Sequence, residues 1–295
     1  MVPMGMSREI DVMHLGRDRV ICAHELDGLI VDPGPTSCLD TLLEALGEQE
    51  PRALGEQEPR ALLLTHIHLD HAGASGALVR RFPGLTVYVH ERGAPHLIDP
   101  SKLMKSAAQL YGDDMDRLWG EMVPVPEQNI RALSGGETVE GLQVEYTPGH
   151  ASHHVTYFDE DTGDAYVGDV GGVRIPPCDF VMSPTPPPDI DLEKWNASLD
   201  LIEERAPQRL RLTHFGGYTN VSEHIEQMRG RLAAWGEVAK STGLERFVDV
   251  VEAETRASAG DDDTAESYFQ AGPPDQLYLG LERYWWKKAE REAIA

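Results

Sequence analysis

The sequence predicts an α/β (α+β) layered domain followed by helices. Three observations carry that reading. Short β-branched or apolar runs alternate with helix-spaced runs through residues 1–219. One of the apolar runs, "RALLLTH", ends directly in a group of histidines. From Asn220 onward the pattern is helical only, so strands and helices mix in the first part and not in the second. The expected division is therefore a domain over 1–219 and a C-terminal helical segment over 220–295.

Element by element, "EIDVMHLG", "RVICAHEL" and "GLIVDPG" read as strands, the last closing in a turn. "CLDTLLEAL" has helical apolar spacing. The octapeptide "ALGEQEPR" at 45–52 recurs at 53–60. Two copies are fewer than the roughly three units a stacked repeat needs, so a duplication tolerated in a surface loop is the reading. "RALLLTH" is a buried strand, "ASGALVRRF" a helix and "LTVYVHE" a strand. Residues 96–122 are helical and amphipathic. "LQVEYTPGH", "HHVTYFDE" and "DAYVGDV" are strands. A proline-rich loop then leads to the helix "LEKWNASLDLIEER", with Asp191 as its N-cap. "PQRLRLTHFGG" is the last clear strand. The helices beyond it break near "AGDDDTAES" and at "AGPPD".

The 295 residues, 41% of them hydrophobic, suffice for a sizeable core. Fifty acidic against 26 basic side chains give a formal charge of −24, a field that repels phosphate backbones and argues against nucleic acid as partner. The three cysteines are an odd number without CxxC spacing, as expected of reduced thiols in a cytoplasmic protein. The first residues lack the basic start and apolar stretch of a secretory signal. No apolar stretch of about 18 residues is present, so no membrane partner is expected.

Three of the 12 histidines fall in "THIHLDHAG". His66, His68, Asp70 and His71 form the pattern HxHxDH, whose imidazole and carboxylate donors suit zinc and other borderline divalent ions. His66 and His68 can approach one ion, while Asp70 and His71, displaced around the turn, can reach a second. His150, Asp169 and His214 each close another strand-like run. Seven candidates at strand ends fit a dinuclear site with a carboxylate bridge. Isolated histidines such as His14, His24, His90, His96 and His224 read as structural or solvated.

"THIHLDHAG", "TPGH", "GD" and "THFG", in that order, resemble the metallo-β-lactamase-fold hydrolase superfamily, glyoxalase II-like members included, over roughly residues 10–218. The resemblance implies an αββα sandwich with metals at one edge of its two sheets. It implies His66, His68 and His150 around one ion, Asp70, His71 and His214 around the other, and Asp169 between them. "VDPG" resembles an early strand-end motif in which the aspartate, here Asp32, supports the site from behind. His154 stands where many members carry a further histidine, as support or substrate contact. Arg174, the cation nearest the site in sequence, is a candidate anion contact or a surface ion pair.

The implied activity is that of a dinuclear zinc hydrolase, with Fe or Mn as alternative metals. A metal-bridging hydroxide would attack a small ester, thioester or lactone, and Asp70 would be the catalytic carboxylate. A nuclease or phosphodiesterase, a mononuclear-iron persulfide dioxygenase and a non-enzymatic scaffold are the alternatives. The stripe Leu277, Leu281, Tyr284 and Trp285 has helical spacing and reads as packing of the last helix onto the core, or as a homodimer seam or an acyl-group wall.

Overall fold

The computed structural model describes residues 7–47 and 58–294. Most of the duplicated octapeptide lies outside them. Among the described residues, twelve strands form two six-stranded sheets. The first sheet runs β1 (Arg8–Asp11), β2 (Cys22–Leu26), β3 (Leu29–Val31), β4 (Ala61–Leu63), β5 (Thr86–His90) and β6 (Ile130–Leu133), in that spatial order. The second holds β7 (Thr138–Val139), β8 (Leu142–Tyr146), β9 (Val155–Asp159), β10 (Asp164–Tyr166), β11 (Arg209–Leu212) and β12 (Gly216–Tyr218), again with sequence neighbours side by side. In the first sheet β3 to β6 are mutually parallel, and in the second only β10 and β11 are.

The helices are α1 (Leu39–Gly47), α2 (Leu69–Ala72), α3 (Ser75–Arg81), α4 (Ala94–Ile98), α5 (Ser101–Tyr111), α6 (Met115–Trp119), α7 (Leu192–Glu204), α8 (Val221–Ser241), α9 (Leu244–Ala259), α10 (Asp262–Ala271) and α11 (Pro274–Ile294). Asp191 caps α7 through a bond from the Lys194 amide, as the sequence predicts. The single amphipathic stretch expected over 96–122 is instead three helices, interrupted at Pro100 and Gly112, where a ring and a positive φ stop the helical ladder. Strands β6, β7 and β12 are absent from the sequence reading. They are short, and the first two are mostly polar or open to solvent.

Period-two alternation sorts the side chains into layers. Leu29, Val31, Ala61 and Leu63 point inward and meet Val144, Val155, Tyr157 and Tyr166 of the second sheet. Ile30 and Leu62 point outward under α1, α3 and α4. Phe158, Ala165 and Leu210 face outward from the second sheet beneath α7 and the C-terminal helices. The result is an αββα sandwich. The parallel strands β3 and β4 are apolar on both faces because both faces are covered.

The helices after Tyr218 share this core. Trp235, Phe247, Tyr268, Leu277, Leu281 and Tyr284 are all buried in the same cluster as Trp195 and Leu212. No helix among the described residues is long and apolar enough to cross a membrane.

The docking of α11 depends on a close backbone approach. A Cβ at Gly280 would lie 2.0 Å from the Thr185 carbonyl oxygen, whereas one at Gly230 on α8 meets nothing within 4 Å. Gly280→Ala should therefore lower the unfolding free energy by about 1–3 kcal/mol through overpacking. Gly230→Ala should raise it by about 0.5–1 kcal/mol through helix propensity alone. Chemical denaturation measures both, and equal effects at the two positions would contradict this packing.

Candidate metal centre

Four chain segments end at one edge of the sandwich. His66 and His68 follow β4, and Asp70 and His71 lie on the single turn of α2. His150 follows β8, Asp169 follows β10 and His214 follows β11. Two glycines let the later segments reach this edge. Gly149, at φ +146°, rests against Trp195, and Gly168, at φ +45°, against Thr65 and His154. A Cβ would lie 2.3 Å from Trp195 at Gly149, and 2.5 Å from Thr65 and 2.9 Å from His154 at Gly168.

The structure brings all seven sequence-predicted ligands together. His66, His68, His150 and Asp169 form one group, and Asp70, His71 and His214 another, with the donor atoms of each group within 4.8 Å of one another. Asp169 faces both. Its Oδ2 lies 3.3 Å from His150 Nε2 and 4.0 Å from His66 Nε2. Its Oδ1 lies 3.2 Å from His71 Nε2 and 3.6 Å from His214 Nε2. Asp70 Oδ2 lies 3.3 Å from His214 Nε2.

The outward nitrogens are held from behind. His150 Nδ1 donates to the Pro184 carbonyl, 2.9 Å, and His214 Nδ1 to that of Val20, 2.7 Å. His71 Nδ1 donates to Asp32 Oδ2, 2.8 Å. These bonds put the proton on Nδ1 and turn the Nε2 lone pair inward. His154 is fully buried, bonds Thr147 Oγ1 through Nδ1 and stacks on His66. It supports a ligand ring and does not line the cleft.

His66 Nε2, His71 Nε2, His214 Nε2 and Asp169 Oδ1 are buried yet have no hydrogen-bond partner among the described residues. Each such atom costs about 1–3 kcal/mol if left alone. They all point to one place, so divalent cations fit the residues present. Burial, reinforced by the neighbouring imidazoles, pushes His66 well below the usual histidine range and His68 to about 3. Both therefore stay in the neutral, ligating form. Burial pushes Asp169 up, but His71, His150 and His214 outweigh it and keep the carboxylate ionised.

A cleft of about 540 Å³ opens over His68, Asp70 and Asp169. Its polar lining includes His14, which the sequence reading left as a structural or solvated residue. His14 is buried, bonds the Leu118 carbonyl through Nε2 and receives the Gln270 amide at Nδ1. No local motif announces it, because both partners are more than 100 residues away in sequence. Of the two readings the sequence offers for Arg174, an anion contact or a surface ion pair, the ion pair is found, buried on the arginine's side. Arg174 does not line the cleft. Its buried guanidinium stacks over Tyr218 at 4.1 Å, bonds Asn220 and pairs with Asp179, so its charge is already engaged.

Residues 20–214 match the family model for the metallo-β-lactamase superfamily. A metallo-β-lactamase fold-containing protein, ST1585 of Sulfurisphaera tokodaii, is 28% identical over 57% of this chain and 65% of its own length. A hydroxyacylglutathione hydrolase of Gloeothece citriformis is 30% identical over 48% of this chain. The match spans 43% of that relative's length. Among solved structures, the metallo-β-lactamase family protein TTHA1429 from Thermus thermophilus superposes with a TM-score of 0.63 at 21% identity. That superposition covers 91% of this chain and 89% of the other, and at such identity it speaks for the fold.

Asp32 tests the support from behind. Asp32→Asn keeps the size of the side chain but replaces one acceptor oxygen by a donor opposite His71. Metal affinity should fall about 10–100-fold, read by competition with a chromophoric chelator while circular dichroism stays that of the wild type. Unchanged affinity would remove Asp32 from this role.

Proposed function

We propose that this chain, which belongs to the metallo-β-lactamase superfamily, is a dinuclear zinc-dependent hydrolase of a small ester, thioester or lactone. The observation that carries the reading is the Asp169 carboxylate, whose two oxygens face two separate groups of ligand atoms. His66, His68 and His150 would hold one ion and Asp70, His71 and His214 the other, with Asp169 between them. A nitrogen and oxygen donor set without thiolate suits zinc, with iron or manganese as alternatives. When bound, such ions supply Lewis acidity toward the substrate carbonyl and a water deprotonated at neutral pH.

The chain's own residues supply orientation and proton handling. Asp70 lines the cleft together with Asp169, and unlike Asp169 it faces one ligand group only. Its Oδ2 is turned to His71 and His214, which leaves its second oxygen to accept a proton from water and return it to the leaving group. Asp32 and the carbonyls of Val20 and Pro184 hold His71, His214 and His150 in register, so the site does not reorganise during the reaction. Tyr111 lines the same cleft. Burial, with Asp70 and Asp169 adding to it, raises its phenol and keeps it protonated as a donor.

Elemental mass spectrometry on protein purified without added metal should find about two zinc ions per chain. Asp169→Ala should lose both ions together and reduce hydrolysis by at least about 10³-fold, since both groups share that residue. Two ions retained in Asp169→Ala would overturn the bridging role. One iron per chain with oxygen uptake on glutathione persulfide would replace the hydrolase by a dioxygenase.

A further inference from the structure

We propose that the cleft above the metal centre binds a flexible apolar acyl chain, so that the substrate is a medium-chain acyl ester or thioester. This rests on the hydrolase reading and adds the identity of the acyl group.

The walls make the case. Helix α5 buries none of its residues completely. Yet Leu103, Ala107 and Leu110, at helical i, i+4, i+7 spacing, are half-buried and turn the same face into the cleft. Across from them stand Leu277 and Leu279 of α11, the latter 38% exposed, and the proline segment 184–188. Trp119 completes the lining beside His14. Leu103 and Ala107 also rest against the core cluster that holds Leu97 and Trp119, and the part of this face left bordering the cavity is a surface awaiting an apolar partner. The cavity is continuous with His68, Asp70 and Asp169, so that partner is the substrate.

Charge narrows it further. Arg283 is the one cation among the described lining residues, and its Nε donates to the Pro188 carbonyl. Two carboxylates of the metal centre share the lining, and the whole chain carries −24. A glutathione thioester brings two carboxylates of its own, and a phosphodiester brings phosphate. Beyond the metal centre itself, neither finds more than Arg283 for its anionic groups. A hydrocarbon chain needs none. The reaction balances with water alone: the oxygen of water joins the acyl carbon, the C–S or C–O bond breaks, and a proton leaves on the thiol or alcohol.

The test separates binding from turnover. Hexanoate, octanoate and decanoate are titrated calorimetrically into the metal-loaded protein. Each two-carbon step should tighten binding about tenfold at full burial, and at least about threefold at partial burial. In Ala107→Trp, which fills the channel on a half-exposed helix face, the gain from octanoate to decanoate should vanish while the thermal midpoint stays close to wild type. In parallel, the ratio of kcat/KM for p-nitrophenyl decanoate over acetate should exceed about ten in the wild type and fall at least about tenfold in Ala107→Trp. An affinity series flat with chain length overturns this inference, even if acetate ester is hydrolysed and the hydrolase reading stands. A steep series without metal-dependent turnover of any ester upholds the chain-binding cleft and overturns the hydrolase reading instead. A dimer that dissociates in Ala107→Trp, together with a flat series, assigns these walls to a second copy of the chain.

Discussion

The buried carboxylate of Asp32 is the point on which the sandwich edge depends. It is wholly inaccessible to water. A charge in that position is tolerated only when it is fully hydrogen-bonded. Asp32 Oδ1 accepts from the Thr65 amide, and Oδ2 from Thr65 Oγ1, Thr213 Oγ1 and His71 Nδ1, all within 2.7–2.8 Å. Those donors come from the ends of β4 and β11 and from α2. One carboxylate therefore ties both sheets and a ligand helix to the end of β3. Its own backbone sits at φ +48°, a region an aspartate visits at some cost. The four bonds outweigh that cost and fix the direction of the side chain.

From this point the ligand set follows by packing. Thr65 precedes His66, and Thr213 precedes His214, so clamping the two threonines also sets the histidines that follow them. The sheets are stitched at the same level by backbone bonds, Val155 N to Thr65 O and Cys22 N to Thr213 O. On the other side, Trp195 of α7 presses against Gly149 and donates its indole N–H to the Val170 carbonyl. One buried ring thus positions the segments of both His150 and Asp169. The candidate metal centre has little freedom because each of its donor residues lies one to three residues from a buried tie.

How much of this was legible in the sequence depended on whether the interaction was local. HxHxDH could be read because its four donors share one strand end and one helical turn, and because an apolar strand precedes them. His150, Asp169 and His214 could be read only as strand ends with a resemblance to order them. The strands could be read from short apolar or β-branched runs such as "LLL" and "VTYF", while their arrangement into an αββα sandwich came with the resemblance. The cleft did not follow. Its walls come from α5, the proline segment and α11, which lie more than 70 residues apart in sequence, and helical spacing cannot say whether an apolar face meets a helix or a cavity. The stripe on α11 shows the ambiguity within one helix. Leu281 and Tyr284 are core, whereas Leu277 is buried against the core and borders the cleft as well. Arg174 was legible in part. Its ion pair with Asp179 is local and was one of the two readings the sequence offered, but Tyr218 and Asn220, which also engage it, belong to the next segment of the fold.

The C-terminal helices then acquire a role beyond covering a sheet. The segment 184–188 has two faces. On one, the Pro184 carbonyl accepts the Nδ1 proton of His150 and so sets that ligand's tautomer. On the other, Thr185 Oγ1 donates to the Leu277 carbonyl, and the Thr185 and Pro186 backbone lies against Gly280. Any shift of α11 moves this segment. The shift changes the width of the cleft and, through a single intervening residue, the orientation of a metal ligand. Cleft shape and metal affinity are therefore not independent properties here. Substitutions that reshape the apolar wall through α11 act on His150 as well, whereas those on α5 do not touch it. Changes in chain selectivity are free of changes in metal binding only on the α5 side of the cleft.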